Sequence, residues 1–178
     1  MINFFKRNKL KLLLKKNNRK HAFLDLNNIH SILVLFETSD YETVDSFVEI
    51  FQKMGKTVEG YAYRAKNDVY DYSETNYNII GTKENSGKSN IPSDEILNRL
   101  KSVHYDAVID LTISENYLLE YILASVNATM TIGLKKNKLP FYDMAISKLP
   151  KEPKEPPVTK LTKSILHYLR TINGNKTG

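Results

Sequence analysis

Two groups of polar residues could form a ligand crevice, because each follows a predicted buried strand. The first group follows residues 31–36, and the second surrounds the end of residues 105–112. In an open parallel sheet, ligands bind outside the carboxyl ends of the strands, where the strand order reverses. The candidate crevice residues are Thr38, Ser39, Asp40, Asp110, Thr112, Ser114 and Glu115.

Asp110 is the carboxylate of most interest, since a charge at the end of a buried strand is costly unless it is hydrogen-bonded. A bound ligand could supply those hydrogen bonds. Alternatively, Asp110 and Asp40 cap loops and helices. We prefer this structural interpretation, because no glycine-rich turn lets a phosphate approach the backbone here. We therefore predict that Asp110→Asn costs about 1–3 kcal/mol of stability and affects stability more than any activity.

Other candidate motifs are weaker. Residues 81–89 look like a phosphate-binding loop, but five residues separate the glycines where the motif needs four, and Pro92 delays the helix. We interpret this stretch as a solvated turn and His104 as a cap. No cysteine is present and no two histidines are four residues apart. No catalytic residue, metal site or cofactor is predicted.

Apolar patterning predicts a three-layer αβα Rossmann-like domain of the α/β class. Its mostly parallel sheet has five strands, in the order second, first, central, fourth, fifth. The predicted strands are residues 31–36, 57–65, 105–112, 129–134 and 142–146, and residues 78–81 could add a short one. The helices between them are predicted at about 41–54, 93–103 and 114–126.

Three segments flank this domain, which is predicted to span residues 21–146. Residues 1–20 form a basic N-terminal helical arm, residues 147–157 a Pro/Lys/Glu linker, and residues 158–173 a C-terminal helix that docks on the domain. We expect the domain to fold with little loss of stability without the arm. No apolar run reaches the roughly 18 residues that span a bilayer. The predicted location is cytoplasmic, with a peripheral position on the inner membrane as the alternative.

The positive charge of the chain is concentrated in the arm. The net charge is +6, yet residues outside the arm carry 18 basic and 20 acidic side chains. The arm contains eight cations and no acid, namely Lys6, Arg7, Lys9, Lys11, Lys15, Lys16, Arg19 and Lys20. Such a charge excess predicts a polyanionic partner. The tyrosine-rich region 61–77 could in addition contact a protein partner or stack on bases.

The sequence resembles two known families. Residues 31–36, 105–112, 128–133 and 141–146, behind a short basic segment, resemble a bacterial family of small α/β proteins with no assigned activity. The run Tyr-Asp-Ala-Val-Ile-Asp-Leu, followed by a helix and Thr-Ile-Gly, is similar to the N-terminal half of heptosyltransferase-type glycosyltransferases. Residues 37–40 depart from the Gly-Asp loop of those enzymes, and their nucleotide-sugar domain is missing. This resemblance implies the fold and argues against that activity.

Three hypotheses of function follow. The first is a non-catalytic binding module whose arm docks on RNA, plausibly on the ribosome. The second is docking on an anionic membrane surface or a membrane-protein complex. The arm's apolar residues are scattered around the helix, which disfavours a helix lying flat in a bilayer interface. The third is a small enzyme or ligand-binding domain that uses the crevice near Asp110.

Overall fold

The computed structural model describes residues 4–65, 68–69, 71–81, 91–151 and 154–172. The candidate phosphate loop beyond Gly81, Tyr70, and parts of the arm and linker lie outside the described residues.

The described chain forms one six-stranded parallel sheet, which confirms the predicted α/β Rossmann-like class. The strand order is β3-β2-β1-β4-β5-β6, so the predicted order is confirmed for the five main strands. The sixth strand is the short β3 at one edge. The strands are β1 Ser31–Glu37, β2 Thr57–Tyr63, β3 Asn78–Ile80, β4 His104–Asp110, β5 Asn127–Leu134 and β6 Met144–Ile146.

Five α-helices accompany these strands in the described chain. They are α1 Phe4–Lys16, α2 Tyr41–Lys53, α3 Asp94–Ser102, α4 Tyr117–Ser125 and α5 Pro157–Thr171. Helix α4 starts later than the predicted Ser114. The Asn116 side chain accepts a hydrogen bond from the Leu119 N–H at 3.3 Å, which caps the helix at this point.

The two faces of the sheet have separate apolar cores. Helices α2 and α5 cover one face, where the stripe Val44, Phe47, Val48 and Phe51 packs with Val34 and other strand residues. Helices α1, α3 and α4 lie on the other face, over Leu33 and Leu35. Helix α4 is buried along almost its whole length, because α1 packs against it.

The sequence left open whether the N-terminal helix packs on its own domain, and in the structure it does. Leu10 of α1 is fully buried, and the Asn17 amide donates to the backbone oxygens of Ala124 and Val126 at 3.1 and 2.9 Å. These two residues end α4, so α1 and the loop after it are tied to that helix. We therefore revise the expectation that the domain loses little stability without the arm, because removal of the arm would expose apolar residues of α4.

Candidate functional site

The strand order reverses between β1 and β4. The chain leaves β1 towards β2 on one side and leaves β4 towards β5 on the other. Ligands of open parallel sheets bind at this reversal, outside the carboxyl ends of the strands. The two groups of candidate crevice residues follow β1 and β4, so the sheet brings both to the expected edge.

Asp110 ends β4 and is 1% exposed. Its Oδ1 accepts hydrogen bonds from the N–H and the hydroxyl of Thr112 at 2.9 and 2.6 Å. Its Oδ2 accepts from Lys136 Nζ at 2.7 Å and from the Tyr142 hydroxyl at 2.6 Å. We name this group of four residues the Asp110 cluster. The carboxylate thus has partners on both oxygens, and it needs no ligand to compensate its burial.

Gly133 explains how Tyr142 reaches Asp110. It pairs with Asp110 across the β4–β5 ladder, and a Cβ at this position would lie 2.5 Å from Cε1 of the Tyr142 ring. Lys136 enters from the loop after β5, with its side chain 4% exposed. Sequence reasoning missed two of the three partners, Lys136 and Tyr142, although a glycine opposite a buried carboxylate was a usable signal.

Glu120 of α4 lies beside the Asp110 cluster and is 1% exposed. Its Oε1 accepts a hydrogen bond from the Asn137 amide at 3.1 Å, and its Oε2 has no hydrogen-bond partner among the described residues. Burial raises the pKa of Glu120 to about 7, against the lowering effect of Lys136. Burial and the Asp110 carboxylate also raise the pKa of Tyr142 well above its ordinary value. Glu120 and Tyr142 therefore hold their protons more strongly than usual, but Glu120 is buried and Tyr142 is largely buried.

The first group of candidate residues lines a separate groove of about 530 Å³. Thr38, Ser39 and Asp40 border it together with Tyr72, and no residue of the second group does. Burial raises the pKa of Asp40, and the nearby Glu37 carboxylate adds to this effect. Among the described residues, the first group therefore lines this groove without the second.

The remaining candidates of the second group lie outside both sites. Ser114 is exposed, and Glu115 accepts a hydrogen bond from Arg7 at 2.9 Å. The Asn116 amide donates to Glu37 at 3.2 Å and so links the end of β1 to the start of α4. This bridge lies where a ligand would otherwise cross the strand reversal. The negative charges of Glu37 and Glu115, beside this bridge, disfavour a phosphate there.

Arg19 is part of the fold and is not available to a polyanion. Its side chain is 5% exposed and donates to Asp143 at 2.7 Å and to the Thr131 hydroxyl at 3.0 Å. Burial raises the pKa of Asp143, but the hydrogen bonds from Arg19, His21 and the Thr131 N–H outweigh burial and lower it. This buried pair ties the segment after α1 to β5.

The other cations of residues 1–20 divide into two sets. Arg7 pairs with Glu115, and Lys6 and Lys9 lie over the rings of Tyr117 and Tyr121 at 4.6 and 5.3 Å. The second set is exposed and forms no ion pair among the described residues. It consists of Lys11, Lys15, Lys16 and Lys20.

Large apolar side chains are exposed on α1 beside these lysines. Phe4, Phe5 and Leu12 are 72%, 82% and 57% exposed. Leu10 points into the domain, and Leu13 and Leu14 pack at the edge of the same core. The helix therefore has an inner apolar face and an outer face of mixed lysines and apolar residues. We call the surface formed by Phe4, Phe5, Leu12 and the exposed lysines Lys11, Lys15 and Lys16 the outer face of α1.

Most described tyrosines of the 61–77 region contact their own domain. Tyr61 is 1% exposed, and burial raises its pKa to about 12. The Tyr72 and Tyr77 hydroxyls donate to Asp68 and Asp45 at 2.9 Å each. The protein partner predicted for this region stays a prediction.

The chain belongs to a family that is described as a family of unknown function (DUF6913), whose model matches residues 3–172. Among solved structures, it is similar to the E. coli heptosyltransferase WaaC with ADP, at 12% sequence identity and a TM-score of 0.44. This match covers 83% of the chain, which spans about half of the heptosyltransferase, 49% of its length. None of the curated proteins matches the sequence.

Proposed function

We propose that this protein is a non-catalytic binding module that docks on a polyanion through the outer face of α1. The observation that carries the proposal is the set of exposed lysines on α1 that form no ion pair among the described residues. Like charges at this density repel one another and contribute nothing to the fold. An external anion relieves that repulsion.

The packing of α1 supports docking as a rigid element. Leu10 and Asn17 fix the helix to α4, so its exposed side chains have a defined orientation. Less conformational entropy is lost when a pre-ordered surface binds than when a disordered arm folds on its partner.

RNA of the ribosome is the polyanion that we favour. Each lysine that contacts a phosphate releases counterions, so the affinity for RNA falls steeply with salt. Under this interpretation, Phe4 and Phe5 are covered by a protein or by bases of the same particle.

An anionic membrane surface is the second candidate, and the exposure of Phe4, Phe5 and Leu12 favours it. The weak amphipathicity of the arm disfavours membrane binding only if the helix is taken alone. Because Leu10 packs into the domain core, the side of the helix that remains exposed to a bilayer interface carries phenylalanine, leucine and lysine. That combination is typical of interfacial helices. In the described part of the chain, no helix has the length and apolarity needed to cross a membrane.

Co-sedimentation tests the proposal and separates the two candidates. The protein is spun with ribosomes and, separately, with phosphatidylglycerol vesicles, at about 50 and 200 mM salt. We expect Lys16→Glu to weaken binding several-fold, while Lys101→Glu, a charge-matched change on exposed α3 surface, leaves it unchanged. A loss of vesicle binding in Phe5→Ser favours the membrane. Ribosome binding that falls with salt and with Lys16→Glu favours RNA. Absence of binding to both particles contradicts the proposal.

A further inference from the structure

A groove of about 440 Å³ separates the second half of α1 from the loop between β5 and β6. Its apolar wall consists of Leu14, Leu139 and Pro140, and three lysines stand at its rim: Lys11, Lys15 and Lys138. Pockets for small ligands in proteins have volumes of about 300–1,000 Å³ and combine apolar walls with a few polar groups. The size and lining of the groove fit that description.

The groove has an excess of positive charge that the chain does not compensate. The three rim lysines are exposed and form no ion pair among the described residues. Asp143 lies nearby, but Arg19 and His21 already contact its two carboxylate oxygens at 2.7 and 2.6 Å. The Asp143 carboxylate is thus engaged by Arg19 and His21, and the lysines of α1 and of the loop line the groove.

We infer that this groove binds a small amphipathic anion, a phosphomonoester that carries a short apolar chain. The lysines bind the phosphate oxygens through charge-assisted hydrogen bonds, and the chain lies on Leu14, Leu139 and Pro140. The groove would bind one small molecule, whereas the outer face of α1 would dock on an extended surface. Lys138 and Leu139 belong to the groove alone, so the two sites can be tested separately.

Isothermal titration calorimetry with octyl phosphate, below its micelle-forming concentration, tests this inference on the full chain. We expect saturable binding that Lys138→Glu weakens at least about tenfold. The matched control is Lys135→Glu, an exposed lysine of the same loop that does not line the groove. Thermal melting of each variant verifies that it is folded.

Two further ligands separate the roles of head and tail. Inorganic phosphate has the head without the tail, and octylammonium has the tail with the opposite charge. We expect both to bind much more weakly than octyl phosphate. Equal binding of inorganic phosphate, equal binding of octylammonium, or no effect of Lys138→Glu would each overturn the inference, as would absence of octyl phosphate binding. The co-sedimentation result for Lys16→Glu is independent of these outcomes, because Lys16 does not line the groove.

Discussion

The Asp110 cluster and the outer face of α1 use lysine in opposite ways. In the cluster, Lys136 is 4% exposed and donates to Asp110 at 2.7 Å, within a network that also contains Tyr142. On α1, Lys16 is exposed and forms no ion pair among the described residues. The position of a lysine in the sequence therefore does not reveal its role until its partners in the structure are known. The cluster lysine contributes to the fold, whereas the lysines of the helix surface form the proposed binding site.

Asp110→Asn is expected to have the largest effect on stability. It leaves the buried Lys136 ammonium without its ion-pair partner, and breaking a buried pair in this way costs about 3–5 kcal/mol. This exceeds the 1–3 kcal/mol predicted from the sequence, where only hydrogen bonds to Asp110 were considered. Urea denaturation measures the free energy of unfolding.

The double variant Asp110→Asn with Lys136→Met is the control, because it removes both charges. We expect it to be more stable than the single variant. A loss of less than about 1 kcal/mol in Asp110→Asn would contradict the structural role of the cluster and would blur its contrast with α1.

Leu10→Ala tests whether α1 belongs to the domain core. Leu10 is fully buried against the core that includes α4, and truncation of a buried leucine costs about 2–5 kcal/mol. The matched variant is Leu12→Ala, on the same helix but 57% exposed, which we expect to change stability by less than about 0.5 kcal/mol. Equal effects of the two substitutions in urea denaturation would mean that α1 does not pack as described.

Glu120 makes the region of the Asp110 cluster sensitive to pH. Its pKa is about 7 in the folded protein, against an ordinary value of 4.5. The folded state keeps the proton that the unfolded chain releases between these values, so stability falls as pH rises from about 4.5 to 7. Glu120→Gln removes this titration. We therefore expect the free energy of unfolding of the variant, relative to that of the wild type, to be about 2–3 kcal/mol higher at pH 8 than at pH 5. Urea denaturation at the two pH values measures it, and a constant difference would contradict the raised pKa.

The substitution with the smallest effect on stability is Lys16→Glu. Because Lys16 is exposed and has no ionic partner among the described residues, we expect the free energy of unfolding to change by less than about 0.5 kcal/mol. Its effect appears in binding instead. A large loss of stability in urea denaturation would mean that Lys16, like Lys136, stabilises the fold, and this result would contradict the difference between the two regions.

The strand order was predictable because the buried strands are short apolar runs separated by helical periodicity. The edge strand β3 has three residues and little apolar pattern to predict it firmly. The packing of α1 was not predicted. Its leucines and phenylalanines lie on two different faces of the helix, so their contributions to the amphipathicity cancel. A signal did exist in α4, where residues 117–124 are apolar on nearly all sides and therefore need a cover beyond the sheet.

The buried site was predicted only in part, because sequence distance conceals partners. Asp110 was correctly placed at the end of the central strand, and the Thr112 N–H bond confirms that it caps the following turn. Lys136 and Tyr142 lie 26 and 32 residues further along the chain, and only the pairing of β4 with β5 brings them to Asp110. A charge pattern read along the chain cannot supply such contacts.

The hydrogen bonds from Asn17 to the end of α4 have a consequence for synthesis of the protein. Their acceptors, Ala124 and Val126, come 107 and 109 residues later in the chain. At roughly 5–20 residues per second, a ribosome needs about 5–20 s to make that stretch. During this interval, Leu10 and the cations of α1 lack the helix on which α1 packs in the folded protein. The basic nascent segment therefore spends seconds close to ribosomal RNA before it can take its final position.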